Sequence, residues 1–142
     1  VLTALEAEST IIVGGTFQYA GTSLVSNVAA FDKGSGRWSS LGGGLSDAPP
    51  NRRLLSVNAL QQSATEAELL YVGGNFLVKA WDVASGENAT VGGLVAWNSA
   101  EERWQVVQRE LSEGQVIALA DSGEGGLFVA GNFTLVDRSN AT

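Results

Sequence analysis

The stretch Leu70-Tyr71-Val72-Gly73-Gly74-Asn75-Phe76 has two echoes, Val13-Gly14-Gly15-Thr16-Phe17 before it and Val129-Ala130-Gly131-Asn132-Phe133 after it. A repeat of about 55 to 60 residues marks an array of like units, each burying its apolar face against a neighbour. Each echo is preceded by a short apolar run: Leu2-Thr3-Ala4-Leu5, Val57-Asn58-Ala59-Leu60 and Val116-Ile117-Ala118-Leu119. On this alignment Ala4, Ala59 and Ala118 hold equivalent places. The first two copies continue with Val28-Ala29-Ala30-Phe31-Asp32 and Leu94-Val95-Ala96-Trp97-Asn98, then with Arg37-Trp38-Ser39-Ser40-Leu41 and Arg103-Trp104-Gln105-Val106-Val107. In both, the second aromatic follows the first by the same interval, Phe31 to Trp38 and Trp97 to Trp104, which fixes the register. Ala80-Trp81-Asp82 also looks like Ala30-Phe31-Asp32, but pairing the two leaves Trp104 out of step. Trp81 is therefore read as part of an insertion.

Four short strands per unit, with glycine-containing turns such as Asp32-Lys33-Gly34-Ser35-Gly36 between them, predict an all-β chain and specifically the blades of a β-propeller. Residues 2–41 form one blade, residues 57–107 a second and residues 116–134 half of a third. The chain 1–142 is thus read as one partial domain of about two and a half four-stranded blades. Closed propellers carry four to eight blades, so this is a fragment of a larger ring that further sequence or a partner chain completes. Its open strand edges predict that the chain taken alone self-associates.

Composition narrows the chemistry. There is no cysteine and no histidine, which removes a disulfide framework, a thiolate metal site, a cysteine nucleophile and the commonest general base. No cofactor and no metal is expected. The formal net charge of −7 speaks against a nucleic-acid groove, which needs clustered Lys and Arg; Arg52-Arg53 is an isolated pair. The acidic pairs Glu6 with Glu8, Glu66 with Glu68 and Glu101 with Glu102 sit at strand ends or turns, where carboxylates are ordinarily solvated rather than catalytic. Asp121-Ser122-Gly123-Glu124 lacks the sustained alternation of oxygen ligands of a calcium loop and is read as a turn. The Gly-Gly pairs are structural, because no phosphate-loop pattern accompanies them. No apolar run reaches the length of a membrane helix.

Three N-glycosylation sequons stand out: Asn88-Ala89-Thr90, Asn132-Phe133-Thr134 and Asn140-Ala141-Thr142. Sequons are surface signals in secreted proteins. Asn88 is the strongest, lying in the segment 77–92 that the second blade adds relative to the first, which reads as an exposed connection rather than a strand. The recurring aromatics Phe17, Phe31, Trp38, Phe76, Trp97, Trp104 and Phe133 are read as packing between blades. Trp81 has no counterpart; it either fills a local apolar gap or contacts a sugar or protein, and it is the candidate ligand-binding residue.

The strings Leu70-Tyr71-Val72-Gly73-Gly74-Asn75-Phe76 and Val129-Ala130-Gly131-Asn132-Phe133-Thr134-Leu135, with the Val-Ala-aromatic-Asp/Asn segments, resemble the kelch-like repeats of the fungal cortical marker for cell polarity, a bud-site-selection surface protein. The resemblance covers essentially the whole chain as repeats; Gly-Gly-x-Phe repeats also occur in bacterial secreted propellers. It implies a glycosylated ectodomain of propellers, anchored by a membrane segment outside this chain, that acts as a landmark through protein contacts and has no enzymatic motif. The insertions 42–56 and 77–92 depart from a simple repeat.

The expectation is thus a non-catalytic interaction scaffold from a cell-surface or secreted protein, with protein partners and the remaining blades as its contacts. The alternatives are a fragment of a secreted kelch-type enzyme, or a carbohydrate-binding propeller, whose functional site lies in other blades.

Overall fold

The computed structural model describes residues 1–45, 56–107 and 111–135. It is all-β: among the described residues there is no helix, and no sheet closes on itself. The first sheet contains β1 (Thr3–Glu6), β2 (Thr10–Gly14), β5 (Val28–Asp32) and β6 (Arg37–Ser40), paired in the order β1-β2-β5-β6. Between its second and third strands lies the two-stranded hairpin β3 (Tyr19–Ala20) and β4 (Ser23–Leu24). The second sheet contains β7 (Ser56–Gln62), β8 (Leu69–Asp82), β9 (Glu87–Asn98) and β10 (Arg103–Gln105), again paired in chain order. The third is the antiparallel pair β11 (Leu111–Asp121) and β12 (Leu127–Leu135).

Alternation explains which face of each sheet is buried. On β2, β5 and β6 the residues Ile11, Phe31 and Trp38 are mutual cross-strand partners; on β8, β9 and β10 the corresponding partners are Leu70, Trp97 and Trp104. Period-two geometry puts each such row on one face. The ring pairs meet at 4.9 Å for Phe31 with Trp38, tilted, and 5.0 Å for Trp97 with Trp104, edge to face, arrangements that the aromatic quadrupole favours.

The sheets stack. The largest core cluster joins Val28, Ala30, Leu41 and Leu45 of the first unit to Val57, Leu60, Leu70, Val72, Val95, Trp97 and Trp104 of the second. A smaller one joins Leu94 of the second sheet to Val116, Leu119, Leu127, Val129 and Phe133 of the third. The closest points of both interfaces are glycines. A Cβ at Gly14 would overlap Val57, and a Cβ at Gly73 would lie 2.6 Å from Val116 Cγ1. Each glycine is thus required for close approach of the next sheet.

Strand register corrects the alignment of the first strands. Val57 pairs with Gly74 and, past a bulge at Asn58, Ala59 pairs with Gly73. Val116 pairs with Gly131 and, past a bulge at Ile117, Ala118 pairs with Ala130. In the first sheet it is Thr3 that pairs with Gly14, so Thr3, not Ala4, is the counterpart of Ala59 and Ala118. Val1 then matches Val57 and Val116. The second glycines agree, since a Cβ at Gly15, Gly74 or Gly131 would come within 3.0, 3.0 and 2.9 Å of the Cα of Val1, Val57 and Val116 respectively.

The segment 77–92 is also corrected. It is an extension of the second sheet, in which Leu77 to Asp82 of β8 pair with Gly92 to Glu87 of β9 around a turn at residues 83–86. Val78, Ala80, Asp82 and Val91 are buried. The strands persist because alternate residues on one side of the hairpin have a core to enter, a compensation invisible in local composition. The insertion 42–56 lies largely outside the described residues, as does Arg52-Arg53.

Candidate functional site

Four turns share one construction. Oδ1 of Asp32 accepts from the N–H of Gly34 at 2.8 Å, Oδ1 of Asp82 from Ala84 at 3.1 Å, Oδ1 of Asn98 from Ala100 at 3.0 Å and Oδ1 of Asp121 from Gly123 at 2.6 Å. These are side-chain-closed turns of the kind Asp and Asn favour. The loop Asp121-Ser122-Gly123-Glu124 is one of them, and Asp121 Oδ2 additionally accepts from Ala64 N–H at 3.0 Å, tying the third sheet to the second.

Trp81 belongs to β8 and is half-buried. The Arg103 guanidinium lies 4.7 Å from the centre of its ring, and Arg103 is also ion-paired to Glu101. Trp81 pairs in parallel with Gln105 of β10, and its carbonyl accepts from Val106 N–H at 2.8 Å. Gln105 in turn accepts from Asn98 Nδ2 at 3.1 Å. The hairpin therefore folds against the last strand of its own sheet, with one face of the indole covered by a cation. A tryptophan stacked in this way fastens two strands. Trp81 thus stands on a strand of the 77–92 hairpin and not on a connection.

Among the sequons, Asn88 is exposed near the start of β9, where it pairs with Trp81. Asn132 is exposed on β12, opposite Gln115. Asn140 lies outside the described residues. Asn88 and Asn132 are in separate sheets and are not brought together into one site.

The carboxylate pairs do not converge either. Glu6 is bridged to Lys33 at 3.3 Å, Glu101 to Arg103, and Glu8, Glu66, Glu68 and Glu102 are exposed. Among the described residues no cluster of three or more acidic side chains is placed to hold a metal.

One residue of consequence carries no sequence signal. Asn27, buried and at φ 73°, accepts from Phe17 N–H at 3.1 Å and donates to the Leu45 carbonyl at 3.2 Å. It joins both connections of the first unit to its sheet. Asn is among the few residue types that tolerate this positive φ.

The class these features define is an all-β chain of like antiparallel sheets, stacked through repeated valine-on-glycine contacts and closed by Asx turns. Comparison with protein families, curated proteins and solved structures found no match to the chain.

Proposed function

We propose that the chain is part of a β-propeller that serves as a non-catalytic protein-interaction scaffold in the glycosylated ectodomain of a secreted or cell-surface protein. The observation that carries this reading is the repeated step between sheets. Val57 packs on Gly14 and Val116 on Gly73, and in each case the first strand of one unit meets the second strand of the unit before it. Radial repetition of one such step is how propellers are built.

Support for a binding rather than a chemical role comes from where the polar groups are spent. Asp32, Asp82, Asn98 and Asp121 close turns, and Glu6 and Glu101 pair with neighbouring cations. Rigid repeat surfaces present extended areas to protein partners. The resemblance to the polarity-landmark repeats supplies a specific version, in which the surface marks a cortical position through protein contacts and a membrane segment elsewhere anchors it.

The extracellular part rests on Asn88, whose side chain is accessible close to a hairpin turn. Expression through a eukaryotic secretory pathway followed by peptide mass spectrometry tests it. Glycan on the peptide containing Asn88, lost in N88Q, is the expected result. Unmodified Asn88 and Asn132 in secreted protein would overturn the ectodomain assignment and favour an intracellular kelch-like scaffold.

A further inference from the structure

We propose that the first sugar of an N-glycan on Asn88 packs against the indole of Trp81 and fastens the 77–92 hairpin to its sheet. This rests on the ectodomain reading above and adds to it what the glycan does: it is a structural part of the fold.

Trp81 and Asn88 are direct cross-strand partners in the hairpin. Opposed residues of an antiparallel pair project from the same face, with Cβ atoms about 4.5–5.5 Å apart. Because alternate residues share a face, the pair Lys79 with Thr90 lies on that face too. Asn88 and Thr90, the two residues that define the sequon, thus stand together and are both exposed. Val78, Ala80, Asp82 and Val91 take the opposite face and are buried, so the sequon side of the hairpin is its solvent side.

The order of strands puts the indole between two groups. On one side of Trp81 is β10, with Gln105 as its partner; on the other is Asn88. The Arg103 guanidinium, 4.7 Å from the ring centre, reaches the ring from β10. The flank towards Asn88 is the one left for a sugar. Among the described residues, Glu87 to Gly92 pair with Asp82 to Leu77 alone, so Asn88 is on an outer strand with room beside it. Trp81 itself is only half-buried.

In the transfer, Asn88 Nδ2 bonds to C1 of the first N-acetylglucosamine. The C1–O bond to the lipid pyrophosphate donor breaks with its electron pair, and the amide nitrogen gives up one proton to solvent. The linked pyranose then lies within a cross-strand distance of the indole. Its C–H bonds meet the electron-rich ring face favourably, and its bulk blunts the outer strand against pairing with another chain. Asn132 provides the contrast, since its cross-strand partner is Gln115 and not an aromatic residue.

The test uses the chain secreted by a eukaryotic host that makes only high-mannose glycans, trimmed enzymatically to one N-acetylglucosamine per occupied site. Proton–carbon spectra should show the Asn88 sugar protons shifted upfield by the indole ring current, with an Overhauser contact to the Trp81 ring. Urea denaturation should give a folding equilibrium constant about two- to tenfold above that of N88Q, the range of one aromatic contact. The gain should disappear in Trp81→Leu, and N132Q should leave the constant unchanged. Sugar protons at an occupied Asn88 that are unshifted and without contact to the ring, or a gain that survives Trp81→Leu, would overturn the packing and leave the ectodomain reading standing. Secreted protein without glycan at Asn88 would overturn the inference as well, and with Asn132 also bare it would overturn the ectodomain reading too.

Discussion

The side chain of Val57 occupies the space that a side chain at position 14 would need, its Cβ lying 3.0 Å from where a Cβ on Gly14 would fall. Val57 begins the second unit and Gly14 ends the second strand of the first. The same relation, one unit later, holds between Val116 and Gly73. The first glycine of the repeated Gly-Gly pair is thus a receptor for the next sheet. The second gives way to the bulged strand of its own sheet, where a Cβ at Gly74 or Gly131 would overlap the carbonyl of Ser56 or Gln115.

Gly73→Ala should therefore destabilise the chain by about 1–3 kcal/mol, the range for overpacking a filled contact. The cost should largely vanish in a Val116→Ala background, where the opposing methyls are gone. Urea denaturation of the four proteins of the double-mutant cycle measures the coupling, expected at about 1 kcal/mol or more for residues in direct contact.

Asn27→Ala should cost about 2–3 kcal/mol. It strips the buried Phe17 N–H and Leu45 carbonyl of their partner, and each unsatisfied group costs about 1–3 kcal/mol. Asn27→Gly, which tolerates the positive φ, loses the same hydrogen bonds but not the backbone fit. Thermal melts should rank it between wild type and Asn27→Ala.

Trp97→Ala and Phe31→Ala remove the same position from successive sheets but should differ. Trp97 is buried in the main cluster, and large-to-small substitution of such a residue costs about 3–5 kcal/mol. Phe31 is only half-buried, so its removal should cost less than half as much. Denaturation midpoints of the two variants check the ranking.

Arg103→Ala should loosen the hairpin rather than the fold. The guanidinium is partly solvated, so the cation–π contact with Trp81 is worth about 0.5–1 kcal/mol and its ion pair with Glu101 little more in solvent. The expected result is a red-shifted, more quenchable Trp81 fluorescence with global stability lowered by less than about 1.5 kcal/mol. Because three other tryptophans contribute, the difference spectrum against Trp81→Phe isolates the signal.

Most of the strand pattern was legible in the sequence because it is written in short-range terms. Val-Gly-Gly, Val-Ala-aromatic-Asp and Arg-Trp each encode a strand or its turn, and the matched aromatic spacing gives the pairs Phe31 with Trp38 and Trp97 with Trp104 directly. The same spacing hid the nature of Trp81. Trp81 and Asn88 are opposed across an Asx turn in the same way, so Ala80-Trp81-Asp82 resembled Ala30-Phe31-Asp32 because it makes the same turn, not because it holds the same place in the unit. Seen locally, the resemblance is a conflict of register and the hairpin a loop; only the pairing of Leu77 to Asp82 with Gly92 to Glu87 resolves both.

What the sequence determined by itself is an all-β chain of like units with turns at fixed places, because alternation, glycine and Asx chemistry act within a few residues. The tertiary structure alone decided that Thr3 rather than Ala4 matches Ala59, that residues 77–92 are strands and that Asn27 joins Phe17 to Leu45. Each depends on a partner distant in sequence: a bulge carbonyl, the core that receives Val78 and Ala80, a backbone group 18 residues away. A one-residue change of register costs nothing locally and reverses every side chain, so only the packing of one sheet on the next can choose it.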